Sequence, residues 1–170
     1  FGFSEDPDGT LWLATDRAVL RLRNGKISSI GTKNGLPVAT IFQIVADTYG
    51  NFWLTSNRGV IYVKRNEMEA VADGKSERLN AISFAEADGM ASAQCNGGAG
   101  PATLRAKDGS IWVATANGVS VVQPDELARY QLAPPPVVIE NVMVNDQMAD
   151  PYSELILPSD TRKLEMAYVS

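Results

Sequence analysis

The chain contains no histidine. Ser-His-Asp and Cys-His relays, and every His-ligated metal site, are therefore excluded from its 170 residues. The single cysteine, Cys95, cannot close an internal disulfide, so cysteine usage leaves the redox compartment open. With no imidazole to activate it, Cys95 reads as a small buried hydrophobe. Basic residues never cluster beyond Arg21-Leu22-Arg23 or Lys64-Arg65, and the formal net charge is −5. A surface that tracks phosphates needs the opposite balance, so nucleic acid is not an expected partner. No run approaches the roughly 18 apolar residues of a membrane helix. The chain opens on Phe1-Gly2-Phe3-Ser4, without a Met or a basic-then-apolar leader, and closes on the alternating run Leu164 to Ser170. It reads as a piece of a longer protein, and signal peptides or membrane helices are left to what lies outside it.

What is present is a repeat. Asp8-Gly9-Thr10-Leu11-Trp12-Leu13-Ala14-Thr15, Gly50-Asn51-Phe52-Trp53-Leu54-Thr55-Ser56 and Asp108-Gly109-Ser110-Ile111-Trp112-Val113-Ala114-Thr115 spell one phrase, and all three tryptophans lie inside it. Each copy is a turn, an alternating strand around Trp, a second turn and a further β-rich run: Ala18 to Leu22, Gly59 to Val63, Gly118 to Val122. Trp12 and Trp53 stand 41 residues apart, within the roughly 40 to 50 residues of one four-stranded propeller blade. Trp53 and Trp112 stand 59 apart, which calls for an insertion. Asn66 to Leu79 is polar and helix-tolerant, and we expect a surface excursion there.

The expected architecture is all-β: about three blades of a partial β-propeller over residues 1–132, then a linker and the first strands of an incomplete β-sandwich over 133–170. The first blade takes Phe1–Glu5, Thr10–Thr15, Val19–Leu22 and Ile27–Ile30, with Asn24-Gly25 as a hairpin signal. The second takes Ile41–Ala46, Phe52–Thr55, Val60–Val63 and Ala81–Phe84. The third takes Ala102–Ala106, Ile111–Thr115, Val119–Val122 and Tyr130–Leu132. Three blades do not close a ring of about four to eight. Ala133-Pro134-Pro135-Pro136 favours a stiff extended connection, and Val137–Val144, Leu155–Leu157 and Leu164–Val169 read as the strands that follow.

Most candidate chemistry resolves into structure. Asp8 and Asp108 precede Gly in tight turns, where a short carboxylate accepts from nearby backbone N–H groups. Asp6-Pro7-Asp8 begins like a calcium loop but lacks the continuation such a loop needs, so no metal is expected. Asp47 and Glu86/Asp88 are the other carboxylates weighed and set aside. The three Trp are expected to be inter-blade anchors with satisfied indole N–H groups. Thr15, Thr55 and Thr115, read as the threonine of each copy, are expected to make repeating hydrogen bonds. Gly97-Gly98-Ala99-Gly100 matches no phosphate or dinucleotide fingerprint and reads as a link.

These units resemble the propeller repeats of bacterial two-component regulator sensors. Asn34-Gly35-Leu36-Pro37 and Asp88-Gly89-Met90-Ala91-Ser92, the latter followed by Gln94-Cys95-Asn96-Gly97-Gly98, resemble that family's inter-blade linkers. Gly118 to Pro124, Pro135 to Val142, Leu155 to Pro158 and Leu164 to Tyr168 resemble its exit into an Ig-like triple-tyrosine domain. Departures are Tyr49 for the usual acidic turn residue and Asp16-Arg17-Ala18 for the usual Asn-Gly pair. The resemblance implies the extracytoplasmic, periplasmic sensor part of a membrane-anchored, homodimeric protein with a histidine kinase, hybrid kinase or diguanylate cyclase output. It implies no catalysis and no cofactor in this segment. The expected partner is a small-molecule or carbohydrate-type ligand, or a protein. Propellers bind through loops at one mouth of the channel, which nominates the linkers Asn34–Thr40 and Gln94–Pro101, and within and beside them Arg58, Gln94, Asn96 and Asn117. The competing expectations are a propeller enzyme, such as a polysaccharide or cyclic-peptide lyase, and a protein-interaction scaffold.

Overall fold

The copies fold alike because one backbone pattern closes them all. In a computed structural model, which describes residues 1–98, 100–130 and 138–169, the N–H of Asp6 donates to the Thr10 carbonyl at 2.9 Å and that of Gly9 to the Asp6 carbonyl at 2.9 Å. Asp47, Asn51 and Gly50 repeat the pattern at 2.9 and 3.1 Å, and Ala106, Ser110 and Gly109 at 2.8 and 3.1 Å. The three turn glycines have φ of +81°, +85° and +88°, a region where a Cβ is strained.

Three antiparallel sheets result. The first is β1 (Phe3–Glu5), β2 (Leu11–Ala14), β3 (Val19–Arg23) and β4 (Lys26–Ile30), paired in chain order. The second is β5 (Gln43–Ala46), β6 (Phe52–Ser56), β7 (Gly59–Val63) and β8 (Ala81–Phe84). The third is β9 (Thr103–Arg105), β10 (Ile111–Thr115) and β11 (Gly118–Val122), with three strands among the described residues. The expected fourth strand at Tyr130–Leu132 is corrected: Tyr130 ends a helix, α2 (Pro124–Tyr130), and residues 131 and 132 lie outside the described residues. At Asn24-Gly25 both residues have positive φ, +50° and +73°, as a two-residue hairpin requires.

Period-two alternation gives each sheet two faces, and the faces interlock. From the second sheet, Ile44, Phe52, Leu54, Ile61 and Val63 pack onto Trp12, Ala14, Val19 and Ile30 of the first. Its other face, with Trp53, Val60 and Tyr62, packs onto Ile111 and Val113 of the third. The Trp-bearing face of one sheet thus meets the aliphatic face of the next, with the Trp12 and Phe52 ring centroids 4.8 Å apart. Trp12 and Trp53 are fully buried, but Trp112 is 45 % exposed. The expectation of three buried anchors holds for two. Trp112 lies on the face of its sheet opposite to the one that Ile111 and Val113 pack onto the second sheet.

The insertion is more than a surface excursion. It forms α1 (Arg65–Ala72), whose Met68, Val71 and Ala72 are buried, as is Leu79 beyond it. The i, i+3, i+4 spacing puts the three on one stripe, and they join the core between the first two sheets. On its polar side, Glu69 and Asp73 hold the buried Arg21 of β3 at 2.9 and 2.6 Å.

Two linkers carry the chain between sheets by the same device. Short 3-10 turns at Thr32–Asn34 and Glu86–Asp88 end on Gly35 and Gly89, with φ of +99° and +93°. Asn34 Oδ1 and Asp88 Oδ2 accept from the backbone N–H of Gly31 and Ala85 at 3.1 and 2.9 Å. Leu36 and Met90 then enter the two cores.

The chain divides into two compact units, Phe1–Leu127 and Ala128–Ser170. The second holds one sheet of β12 (Val138–Val144), β13 (Gln147–Ala149) and β14 (Leu164–Val169), with β12 central. A register shift between Ile139 and Asn141 opposes Ile139 to Tyr168, as Val142 opposes Met166 and Val144 opposes Leu164. One face is therefore apolar along its length. Leu155–Leu157, expected as a strand, joins no ladder. The proline linker at 133–136 lies outside the described residues.

Candidate functional site

The two rims of the first unit differ in what their cations are free to do. On one rim lie the turns that join β1 to β2, β5 to β6 and β9 to β10. A cleft of about 540 Å³ there is lined by Glu5, Asp6, Asp47, Arg65 and Arg105 among others. The charges of Asp6, Asp47, Arg65 and Arg105 in it are committed. Asp6 accepts from the indole of Trp12 at 2.8 Å and from Arg65 at 2.6 Å, and Arg65 also donates to the Gly50 carbonyl. The Arg65 guanidinium lies 4.2 Å from the Phe52 ring centroid. Arg105 donates to the carbonyls of Ala46 and Asp47 at 3.1 and 2.8 Å.

On the opposite rim lie the linkers and the turns after β2, β6 and β10. A cleft of about 320 Å³ is lined by Thr32, Pro37, Val38, Ala39, Thr40, Asn57 and Arg58. Arg58 is held by its backbone, whose N–H donates to Ser56 Oγ at 3.0 Å. Its guanidinium makes no hydrogen bond or ion pair among the described residues, so its donors stay available. Gln94, Asn96 and Asn117 are exposed and lie at the next linker and turn, where Ala116 N–H donates to the Gln94 carbonyl and Asn96 N–H to the Ala114 carbonyl, both at 2.9 Å. Gln94 and Asn117 are the repeat counterparts of Thr40 and Arg58. The structure thus places the four nominated residues on one rim, with Arg58 alone of them in the cleft.

The acidic residues prove to be turn formers. Asp8 and Asp108 accept from the backbone N–H of Thr10 and Ser110, each at 3.0 Å. In the second copy, where Tyr49 replaces the acid, Asp47 accepts from the backbone N–H of Tyr49 and Asn51 and from the Trp53 indole at 3.0 Å. An Asp six residues before Trp therefore caps the indole in two copies; Ala106 stands there in the third, and Ser110 Oγ accepts instead at 2.9 Å. Sequence reasoning missed this acceptor, though its recurrence at one spacing was visible.

The threonine expectation needs correction at one position. Thr15 and Thr115 donate to the carbonyls of Ala18 and Gly118 at 2.7 and 2.9 Å. In the second copy the residue three after Trp is Ser56, and it donates to Gly59 at 2.9 Å. Thr55 Oγ1 is buried without a partner.

Shifted carboxyls point away from acid chemistry. Hydrogen bonds hold Asp8, Glu86 and Asp108 below their usual range: the backbone N–H of Thr10 for Asp8, that of Ala93 for Glu86 and the Ser110 hydroxyl for Asp108. Burial pushes the Cys95 thiol up, away from the thiolate a nucleophile needs.

No family model and no curated protein matches the chain. Among solved structures it is similar to the extracellular domain of BT3049 from B. thetaiotaomicron, named for a hybrid two-component system, at 21 % identity and a TM-score of 0.64. That match covers 97 % of this chain and 20 % of the other. The fold is all-β and propeller-like. A second likeness is to a catalytically inactive histidine-to-alanine variant of virginiamycin B lyase from Staphylococcus aureus with quinupristin, at 13 % identity and a TM-score of 0.51, over 74 % of this chain and 38 % of that one. The chain thus spans about a fifth to two fifths of the length of these structures. No helix among the described residues is long and apolar enough to cross a membrane.

Proposed function

We propose that this chain is part of the extracytoplasmic, ligand-recognising sensor region of a membrane-bound bacterial signalling protein, and that it performs no chemistry of its own. The observation that carries the reading is the likeness to the BT3049 extracellular domain over 97 % of the chain, both units included. The shifted carboxyls, all lowered, and the raised thiol agree with it, because general acids and thiolate nucleophiles need the reverse. The second unit is read as the opening sheet of an Ig-like sandwich that passes the signal toward a periplasmic membrane face, and the parent as a homodimeric kinase, hybrid kinase or diguanylate cyclase. Recognition is assigned to the linker rim, with Arg58 as the free cation that meets an anionic or carbonyl-rich ligand.

The experiment is made in the protein that carries this segment. Deleting residues 1–127 is expected to abolish the response, and Arg58→Ala to shift it to at least about tenfold higher stimulus, the effect of losing one charge-assisted hydrogen bond. A response that survives the deletion defeats the reading. The likeness to the lyase supports a second, enzymatic reading, but that enzyme is inactivated by losing a histidine, and this chain has none to lose.

A further inference from the structure

Tyr49 stands where the other two copies carry a turn acid, and in the second copy a different residue does that acid's work. Asp8 and Asp108 accept from the backbone N–H of Thr10 and Ser110. The matching N–H in the second copy, that of Asn51, donates to Asp47 at 2.8 Å. Asp47 also accepts from the backbone N–H of Tyr49 at 2.9 Å and from the Trp53 indole, so the turn closes without the Tyr49 side chain while the Tyr49 backbone is tied to the core. That side chain is exposed, and its hydroxyl donates to Asp125 Oδ1 of α2 at 2.9 Å.

α2 depends on contacts of this kind. It has 7 residues, and helices shorter than about 12 residues are marginal by themselves. What it packs on therefore decides whether it forms. Leu127 lies against the cluster around Trp53 and Ile111. Residues two apart on a helix are turned by about 200°, so Asp125 and Leu127 meet the body on different sides and together fix the roll of the helix as well as its place. α2 also carries the chain out of the first compact unit and into the second. When it unwinds, its length grows from about 10 Å to as much as about 23 Å.

We propose that Tyr49 and Asp125 form a latch that keeps α2 helical and docked on the second sheet, and that this latch opens while the sheets stay folded, releasing the segment that joins the two units. Both partners are exposed, and an element held by few buried contacts opens locally, ahead of the body it rests on. The latch is additional to the sensory reading and does not depend on it.

Amide hydrogen exchange on the 170-residue chain tests it, with residues 124–130 compared against β6 and β7. Tyr49→Phe keeps the ring and removes the hydroxyl, and Asp125→Ala removes the acceptor while favouring helix. Each is expected to speed exchange in α2 about fivefold, the factor of one net hydrogen bond, with β6 and β7 unchanged. In a chain that already carries Asp125→Ala, adding Tyr49→Phe is expected to change nothing further, because the bond is already gone. Tyr49→Asp, which restores the residue of the other copies, is expected to loosen α2 at least as much as Tyr49→Phe does. Exchange in α2 that neither single variant alters, exchange that rises equally in β6 and β7, or a Tyr49→Phe effect that persists beside Asp125→Ala would each overturn the proposal.

Discussion

At the scale of single residues, the second copy shows how spacing outranks identity. Thr55 looks like the threonine of its neighbours, but Ser56 stands at the right distance from Trp53 and makes the turn bond. Thr55 points into the core with its hydroxyl unpaired. A buried donor without a partner costs about 1–3 kcal/mol. Thr55→Val keeps the shape and removes the hydroxyl, and is expected to raise stability by about 1 kcal/mol. Ser56→Ala removes the bond to Gly59 and the acceptor for Arg58 N–H, and is expected to lower it by about 1–2 kcal/mol. Urea midpoints of the two variants check both signs; destabilisation by Thr55→Val would restore Thr55 as the turn residue. The same lesson explains Asp6 and Asp47. Both were visible as acids six residues before a Trp, but what an indole N–H needs is apparent only once the turn folds its strand back.

At the scale of elements, α1 ties the first two sheets, and its charges make the tie sensitive to acid. Asp73 donates nothing and accepts from Arg21 and Lys75, which hold its carboxyl at about 2 against an ordinary 3.8. A carboxyl lowered on folding contributes stability above its unfolded value and loses it as pH falls through the folded one. The contribution of Asp73 is therefore complete above about pH 4 and disappears toward pH 2. Asp8, Glu86 and Asp108 are lowered too, so the whole unit weakens in acid. Asp73→Asn is expected to be less stable than the parent at pH 7 and to lose less between pH 4 and pH 2, as read from urea midpoints; parallel losses in both proteins would show that the ion pairs to Arg21 do not couple to folding. The strands and hairpins were legible because turn chemistry and period-two alternation are local. The role of α1 was not. Its apolar stripe of Met68, Val71 and Ala72 could be read, but Arg21 and its partners lie 48 and 52 residues apart, and no local pattern announces a pairing across that distance.

At the scale of the whole molecule, the two units differ in whether they own a core. The first encloses two clusters around Trp12 and Trp53. The second has one sheet, in which Val142 is buried while Ile139, Leu164, Met166 and Tyr168 are 38–67 % exposed along the same face. A single sheet of three strands buries too little to offset the ordering of its backbone, and chains below about 40 residues rarely fold unaided. On the Ig-like reading proposed above, a second sheet would cover this face; the strands were legible in the sequence because alternation is local, whereas what covers a sheet depends on contacts that no local pattern carries. Two truncations separate the cases. Residues 1–127 are expected to unfold cooperatively with the blue-shifted emission of two buried tryptophans, since all three Trp belong to that unit. Residues 138–170 are expected to show no cooperative transition by circular dichroism at any temperature. A cooperative melt from the short piece would mean that its apolar face finds cover within the piece itself, and the sandwich reading would lose its physical ground.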